Sequence, residues 1–135
     1  MPEVSLSYDF DRHNMSSIFD TIEYIKEEYG SNSIMVRRSS GGFGWHILLP
    51  FVRHDVEEDL KERRQHEDCR GRCAGDEVRI RSKFRTGRLF ESKSRYEERK
   101  RVKVGTAGEW MMLSEWNRRY GNEVRKQIEE MECQD

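Results

Sequence analysis

Residues 3 to 11 read EVSLSYDFD, and the strict alternation of Val4, Leu6, Tyr8 and Phe10 with Ser5, Ser7, Asp9 and Asp11 decides the reading of the fold. A two-residue period marks a strand with one apolar and one wet face. Side chains at i and i+2 of a strand project the same way, about 7 Å apart. Asp9 and Asp11 can therefore address one site. After His13 and Asn14, the apolar residues Met15, Ile18, Phe19, Ile22, Ile25 and Tyr29 recur at helical spacing, with Asn14 or Ser16 as cap and Gly30 as stop. An amphipathic helix is expected to pack on the apolar face of the strand.

Two apolar runs follow, SIMVRR at 33–38 and WHILLPF at 45–51. The glycine-rich stretch SSGGFG between them reads as a wide hairpin turn, and Pro50 is expected to close the second strand. Residues 54–68 form a charged helix candidate with little apolar stripe beyond Val56 and Leu60, expected to be exposed. A loop at 69–75 leads to strand candidates at 77–84 and 87–92, expected to form a second hairpin. A charged connector at 94–105 and two helices, 107–119 and 122–132, broken at Gly121, complete the chain. Trp110, Met111, Met112, Leu113 and Trp116 read as a core face closing over the sheet. The expected class is α+β: an RRM-like mixed or antiparallel sheet with helices packed on one face.

The 135 residues suit one domain. With 34% hydrophobic and 38% charged residues, the core must be economical and the surface ionic. No stretch approaches the roughly 20 apolar residues that span a bilayer, and the first residues lack a signal-peptide pattern. A soluble, cytoplasmic protein without a membrane partner is expected. Three cysteines, an odd number, argue against a disulfide framework. Although the net charge is only −1, residues 79–103 hold eleven Lys or Arg against three Glu, while residues 1–30 hold seven acids against two bases.

Asp9 and Asp11 at a strand end suit Mg²⁺ or Mn²⁺ carrying substrate phosphates, because hard carboxylate oxygens match those ions. Equally, such a pair can solvate a strand end and cap the next helix. In the turn, Ser39, Ser40, Gly42 and Gly44 let backbone N–H groups approach phosphate oxygens, and His46 adds a donor; an ordinary hairpin turn with a satisfied histidine is the plainer reading. Arg79, Arg81, Lys83, Arg85, Arg88, Lys93 and Arg95 alternate along the later strand candidates, forming either a phosphate-binding face or a solvated edge guarded against aggregation. His66, Cys69 and Cys73 offer three zinc ligands, with His54 or Cys133 as a fourth, at looser spacing than a C-x-x-C pair. Two thiols in a loop is the alternative.

The order YDFD, helix, RRSSGGFGWHILLPF, GDEVRI and GRLFESK resembles the archaeo-eukaryotic primase superfamily, which includes small primase-polymerases, over roughly residues 4–93. This resemblance implies that Asp9 and Asp11 bind metal, that Ser40 and His46 contact the phosphates of an incoming nucleotide, and that Gly75 to Ile80 leads to a strand with one further Asp. The chain carries Ser82 and Lys83 where that Asp is expected, leaving Asp76, Glu77 or Glu91 as substitutes. The implied function is nucleotidyl transfer in DNA replication, with Asp9, Asp11 and His46 at the reaction centre and a nucleoside triphosphate and DNA or RNA as partners. The alternatives are a catalytically inactive accessory replication protein binding nucleic acid, as a homodimer or beside other replication proteins, and a metal-dependent nuclease.

Overall fold

The alternating stretch forms β1 (Glu3–Phe10) in a computed structural model that describes residues 3–30, 32–81, 94–97 and 102–132, with residues 79, 94–97 and 102–106 as backbone only. Leu6, Tyr8 and Phe10 are fully buried, whereas Asp9 is only half-buried. A short 3₁₀ turn (Met15–Ser17) precedes α1 (Ile18–Tyr29). Ile18, Ile22 and Ile25 point into the core. Gly30 ends the helix at φ 82°, its N–H donating to the Lys26 carbonyl, a left-handed stop that glycine adopts without a Cβ penalty.

The hairpin pairs β2 (Met35–Arg38) with β3 (Trp45–Asp55), and β3 also pairs antiparallel with β1. β3 thus lies between β1 and β2, as in a split β-α-β unit. The short β6 (Met111–Met112) adds to the far side of β2 and completes a four-stranded antiparallel sheet, ordered β1-β3-β2-β6. The protein is an α+β domain, as the sequence predicts. On one sheet face, α1 and α4 (Leu113–Glu132) bury a continuous cluster including Val36, Trp45, Ile47, Trp116 and Val124. Burying each of the larger apolar side chains contributes about 1.5–3 kcal/mol of transfer free energy.

Several boundaries differ from expectation. β3 runs through Pro50 to Asp55, because the register shifts between Ser5 and Leu6, from Ser5 opposite Arg53 to Leu6 opposite Leu49. Pro50 thus falls in an irregularity where no ladder N–H is required of it. The charged stretch forms α2 (Val56–Gln65), capped by the Asp55 carboxylate accepting from the N–H groups of Glu57 and Glu58. Its inner face is not exposed: Val56, Asp59, Leu60 and Arg63 are buried.

The expected loop at 69–75 and the start of the expected strand at 77–84 instead form one helix, α3 (Arg70–Arg81). Cys73, Asp76 and Ile80 share its inner face at helical spacing. The expected connector contains an antiparallel pair, β4 (Ser94–Glu97) and β5 (Val102–Thr106). The C-terminal helix is continuous through Gly121, which is buried; the roughly 1 kcal/mol cost of a helical glycine is outweighed by Trp116 and Val124 anchoring the helix on both sides. Among the described residues no helix is long and apolar enough to cross a membrane.

Candidate functional site

Strand pairing assembles the site. Asp9 on β1, His46 on β3 and Arg37 on β2 lie opposite one another in register, so all three side chains project from the sheet face away from the α1–α4 core. Arg37 Nε donates to His46 Nδ1 at 3.0 Å. With Nδ1 accepting, the ring proton sits on Nε2, which lies 3.5 Å from Asp9 Oδ1. His46 is 2% exposed. Its burial, then the positive charges of Arg37 and Arg72, lower its pKa to about 3. The imidazole is therefore a neutral relay that directs an N–H at Asp9, not a cation. Burial also lowers the Arg37 pKa, while Glu109 opposes that shift, and the guanidinium lies 4.4 Å from the centre of the Trp110 ring.

Asp11 stands just beyond the strand. Its N–H donates to Asn14 Oδ1 at 2.8 Å, and its Oδ1 accepts from the His13 N–H at 2.9 Å. The Asn14 amide nitrogen donates to the carbonyls of Asp9 and Glu67. Asn14, expected as a helix cap, instead ties the end of β1 to the turn after α2. Asp11 does not cap the helix that follows: its Oδ1 closes a local turn on the His13 N–H, ahead of the first helical residue Met15. The other oxygen, Oδ2, accepts from the Cys69 thiol at 3.4 Å.

The sixth-residue glycine of the turn is dictated by β1. A Cβ on Gly44 would lie 2.0 Å from the Phe10 carbonyl oxygen, so only glycine lets the start of β3 cross the end of β1. The turn is closed by Ser39 N–H to Gly44 O, Gly44 N–H to Ser39 Oγ and Gly42 N–H to Ser39 O, with Gly42 at φ 79°. Between this turn and the end of β1 opens a cavity of about 590 Å³ lined by Asp9, Asp11, Ser39, Ser40, Gly44 and His46. Arg12, also lining it, is held over the Phe43 ring at 4.2 Å and supplies a cation at the rim.

No known protein family, curated protein or solved structure matches this chain.

Among the described residues, the free edge of β1 is closed not by a strand but by polar side chains. Asp68 Oδ1 accepts the Asp9 N–H at 2.7 Å, and Arg72 donates to the carbonyl and hydroxyl of Ser7. Behind them lies a buried ionic hub, in which Arg63 bonds Asp59, Asp68 and Asp76 at 2.7–2.8 Å. Burial works against the Arg63 charge, but the three carboxylates outweigh it and raise its pKa. Burial likewise raises the pKa of Asp59.

This hub corrects the substitutes for a missing carboxylate. Asp76 is held by Arg63, and Glu77 pairs with Arg64 and Arg81; Glu91 lies outside the described residues. The basic band is also redrawn. Arg79 and Arg81 belong to helix α3, not to an alternating strand, and Arg81 is exposed beside Glu77. The side chain of Arg79 and the whole of Lys83, Arg85, Arg88 and Lys93 lie outside what is described.

The three zinc candidates are not brought together. His66 stacks on Tyr24 with ring centres 3.5 Å apart, and Cys73 sits against Asp68 in the hub, where burial raises its thiol pKa to about 12. His54 faces Glu62 and Tyr29; Cys133 lies outside the described residues. Among the described residues the convergent set is Asp9, Asp11 and Cys69, whose ligand atoms all lie within 4.8 Å of one another. Bonds of about 2.0–2.3 Å to a shared divalent cation would draw that spacing in slightly, so the donor set fits such an ion. Burial, together with the charges of Asp11 and Asp9, raises the Cys69 pKa, in keeping with a thiol that donates to Asp11. Cys69 and Asn14 carried a signal in the sequence, but for other roles. Arg37, Asp68 and Arg12 carried none.

Proposed function

We propose that this chain binds a nucleoside triphosphate together with a divalent metal in the cavity between the end of β1 and the β2–β3 turn, acting on nucleic acid as a minimal primase-polymerase-like domain. One observation carries the reading. Asp9 and Asp11, Ser39, Ser40 and Gly44, and His46 come from separate stretches and line the same cavity. Asp9 and Asp11 would hold the metal, which supplies charge neutralisation on phosphate oxygens and activation of an attacking hydroxyl. Ser39, Ser40 and the turn backbone would donate to phosphate oxygens, and Arg12 would meet their charge at the rim. His46, neutral and held by Arg37, orients the Asp9 carboxylate.

A second reading, an accessory domain that binds nucleotide or nucleic acid without turnover, is favoured by a different feature. The GDEVRI stretch, which the resemblance implies should lead into a carboxylate-bearing strand, lies within helix α3, and its Asp76 is tied to Arg63.

Calorimetric titration of nucleoside triphosphate with Mn²⁺, repeated in chelator and with Asp9→Ala, tests the common core of both readings. Metal-dependent binding lost in the variant is expected, and absence of binding under all conditions would sink both as nucleotide sites. Primer extension then separates them: template-dependent growth of the primer identifies nucleotidyl transfer, unextended primer identifies the accessory domain, and shortened primer identifies a nuclease.

A further inference from the structure

We propose that Cys69 is the third protein ligand of the Asp9–Asp11 centre, and that this centre takes a thiophilic divalent cation of the zinc or cobalt kind in preference to magnesium. The inference rests on the metal-binding part of the reading above and adds to it the identity of the missing ligand and of the ion.

The thiol is 58 residues from Asp11 in sequence, yet its Sγ lies 3.4 Å from Asp11 Oδ2, and the three ligand atoms of Asp9, Asp11 and Cys69 converge within 4.8 Å. That convergence is built by ties outside the trio. Asn14 bridges the carbonyls of Asp9 and Glu67, Asp68 accepts the Asp9 N–H, and Arg72 grips Ser7. Together they hold the turn before α3 against the end of β1. Each carboxylate also has a partner outside the trio. His46 Nε2, from a side chain 2% exposed, faces Asp9 Oδ1, and the His13 N–H is bonded to Asp11 Oδ1. Outer partners of this kind orient ligands and are a regular feature of metal centres.

The donor set then selects the ion. Magnesium requires near-octahedral oxygen coordination and dehydrates reluctantly, whereas a thiolate favours softer ions. Two carboxylates and one thiolate make three protein ligands, the number that leaves a coordination position for water or a phosphate oxygen. On binding, the Cys69 S–H bond breaks, its proton passes to solvent and a sulfur–metal bond forms; no oxidant or reductant is involved.

Titration of Co²⁺ into the full chain, followed in the near ultraviolet, tests this. A sulfur-to-cobalt charge-transfer band is expected in the wild type and in Cys73→Ser, and is expected to vanish in Cys69→Ser. A band that survives in Cys69→Ser overturns the inference. So does calorimetric binding of Co²⁺ to the wild type without any band, an outcome that leaves the Asp9–Asp11 metal reading standing. If neither Co²⁺ nor Mn²⁺ binds, both fall together. A readout independent of the variant's folding is alkylation of Cys69 in the wild type, mapped by mass spectrometry. Saturating Zn²⁺ is expected to slow it and chelator to restore it; an unchanged rate with bound Zn²⁺ counts against the thiol.

Discussion

At the scale of single residues, the candidate site depends on His46 being neutral and on Gly44 having no side chain. The folded-state pKa of His46, about 3, lies below its ordinary value of 6.5, so below pH 6.5 the unfolded chain binds a proton that the folded chain refuses. The stability His46 contributes is complete above pH 6.5 and is lost as pH falls towards 3, with a limiting slope of one proton. His46→Gln is expected to remove that component, and urea midpoints taken across this range should show a flatter profile than the wild type. The glycines of the turn give a second expectation. Gly44→Ala forces a Cβ onto the Phe10 carbonyl and is expected to cost more than about 3 kcal/mol, beyond ordinary overpacking. Gly42→Ala meets open space but keeps φ at 79°, and should cost only about 1 kcal/mol. Equal midpoints for the two variants in urea denaturation would contradict this account.

At the scale of elements, α2 and α3 show why hydrophobic periodicity failed where it did. Their shared interior is ionic. Asp59 and Arg63 lie four residues apart on α2, Arg72 and Asp76 four apart on α3, and Asp68 sits in the turn between. A reader of apolar stripes sees solvated charge on α2 and, in VRIRSKF, a strand-like alternation, because nothing local reveals that the charges face one another. Breaking such a hub leaves carboxylates buried without their cation. Arg63→Met is therefore expected to destabilise by about 3–5 kcal/mol, with Arg63→Lys recovering little, since one ammonium cannot reach three carboxylates as a guanidinium fork does. The same substitution should loosen Asp68 and with it the Asp9 N–H, visible as faster hydrogen exchange at Asp9. A variant with wild-type stability and exchange would show that the hub is ornamental to the edge of β1.

At the scale of the whole molecule, the C-terminal segment belongs to the same core as the strands that carry the site. β6 pairs with β2, and Trp116 meets Trp45 edge-on with ring centres 5.6 Å apart. A chain ending at residue 106 keeps every cavity residue but loses Trp116 and Val124, both essentially fully buried. It is expected to lose cooperative unfolding and near-ultraviolet circular dichroism; retention of both would establish residues 3–106 as an independent unit. The strand with its aspartate pair, the helix stopped by Gly30 and the glycine hairpin were legible in the sequence, because period, cap and turn are local properties of the chain. Asp9, Asp11, Ser39, Ser40, Gly44 and His46 could be named as candidates for the same reason. What only the tertiary structure decided was which of these residues meet. It set the Arg37–His46–Asp9 relay through strand register, the approach of Cys69 to Asp11 through the α2–α3 turn, and the burial of Arg63 among carboxylates. The relay and the Cys69 contact join strands and turns that are distant in sequence, and even where the partners are near, as around Arg63, a charged side chain carries no local mark that tells a buried partner from water.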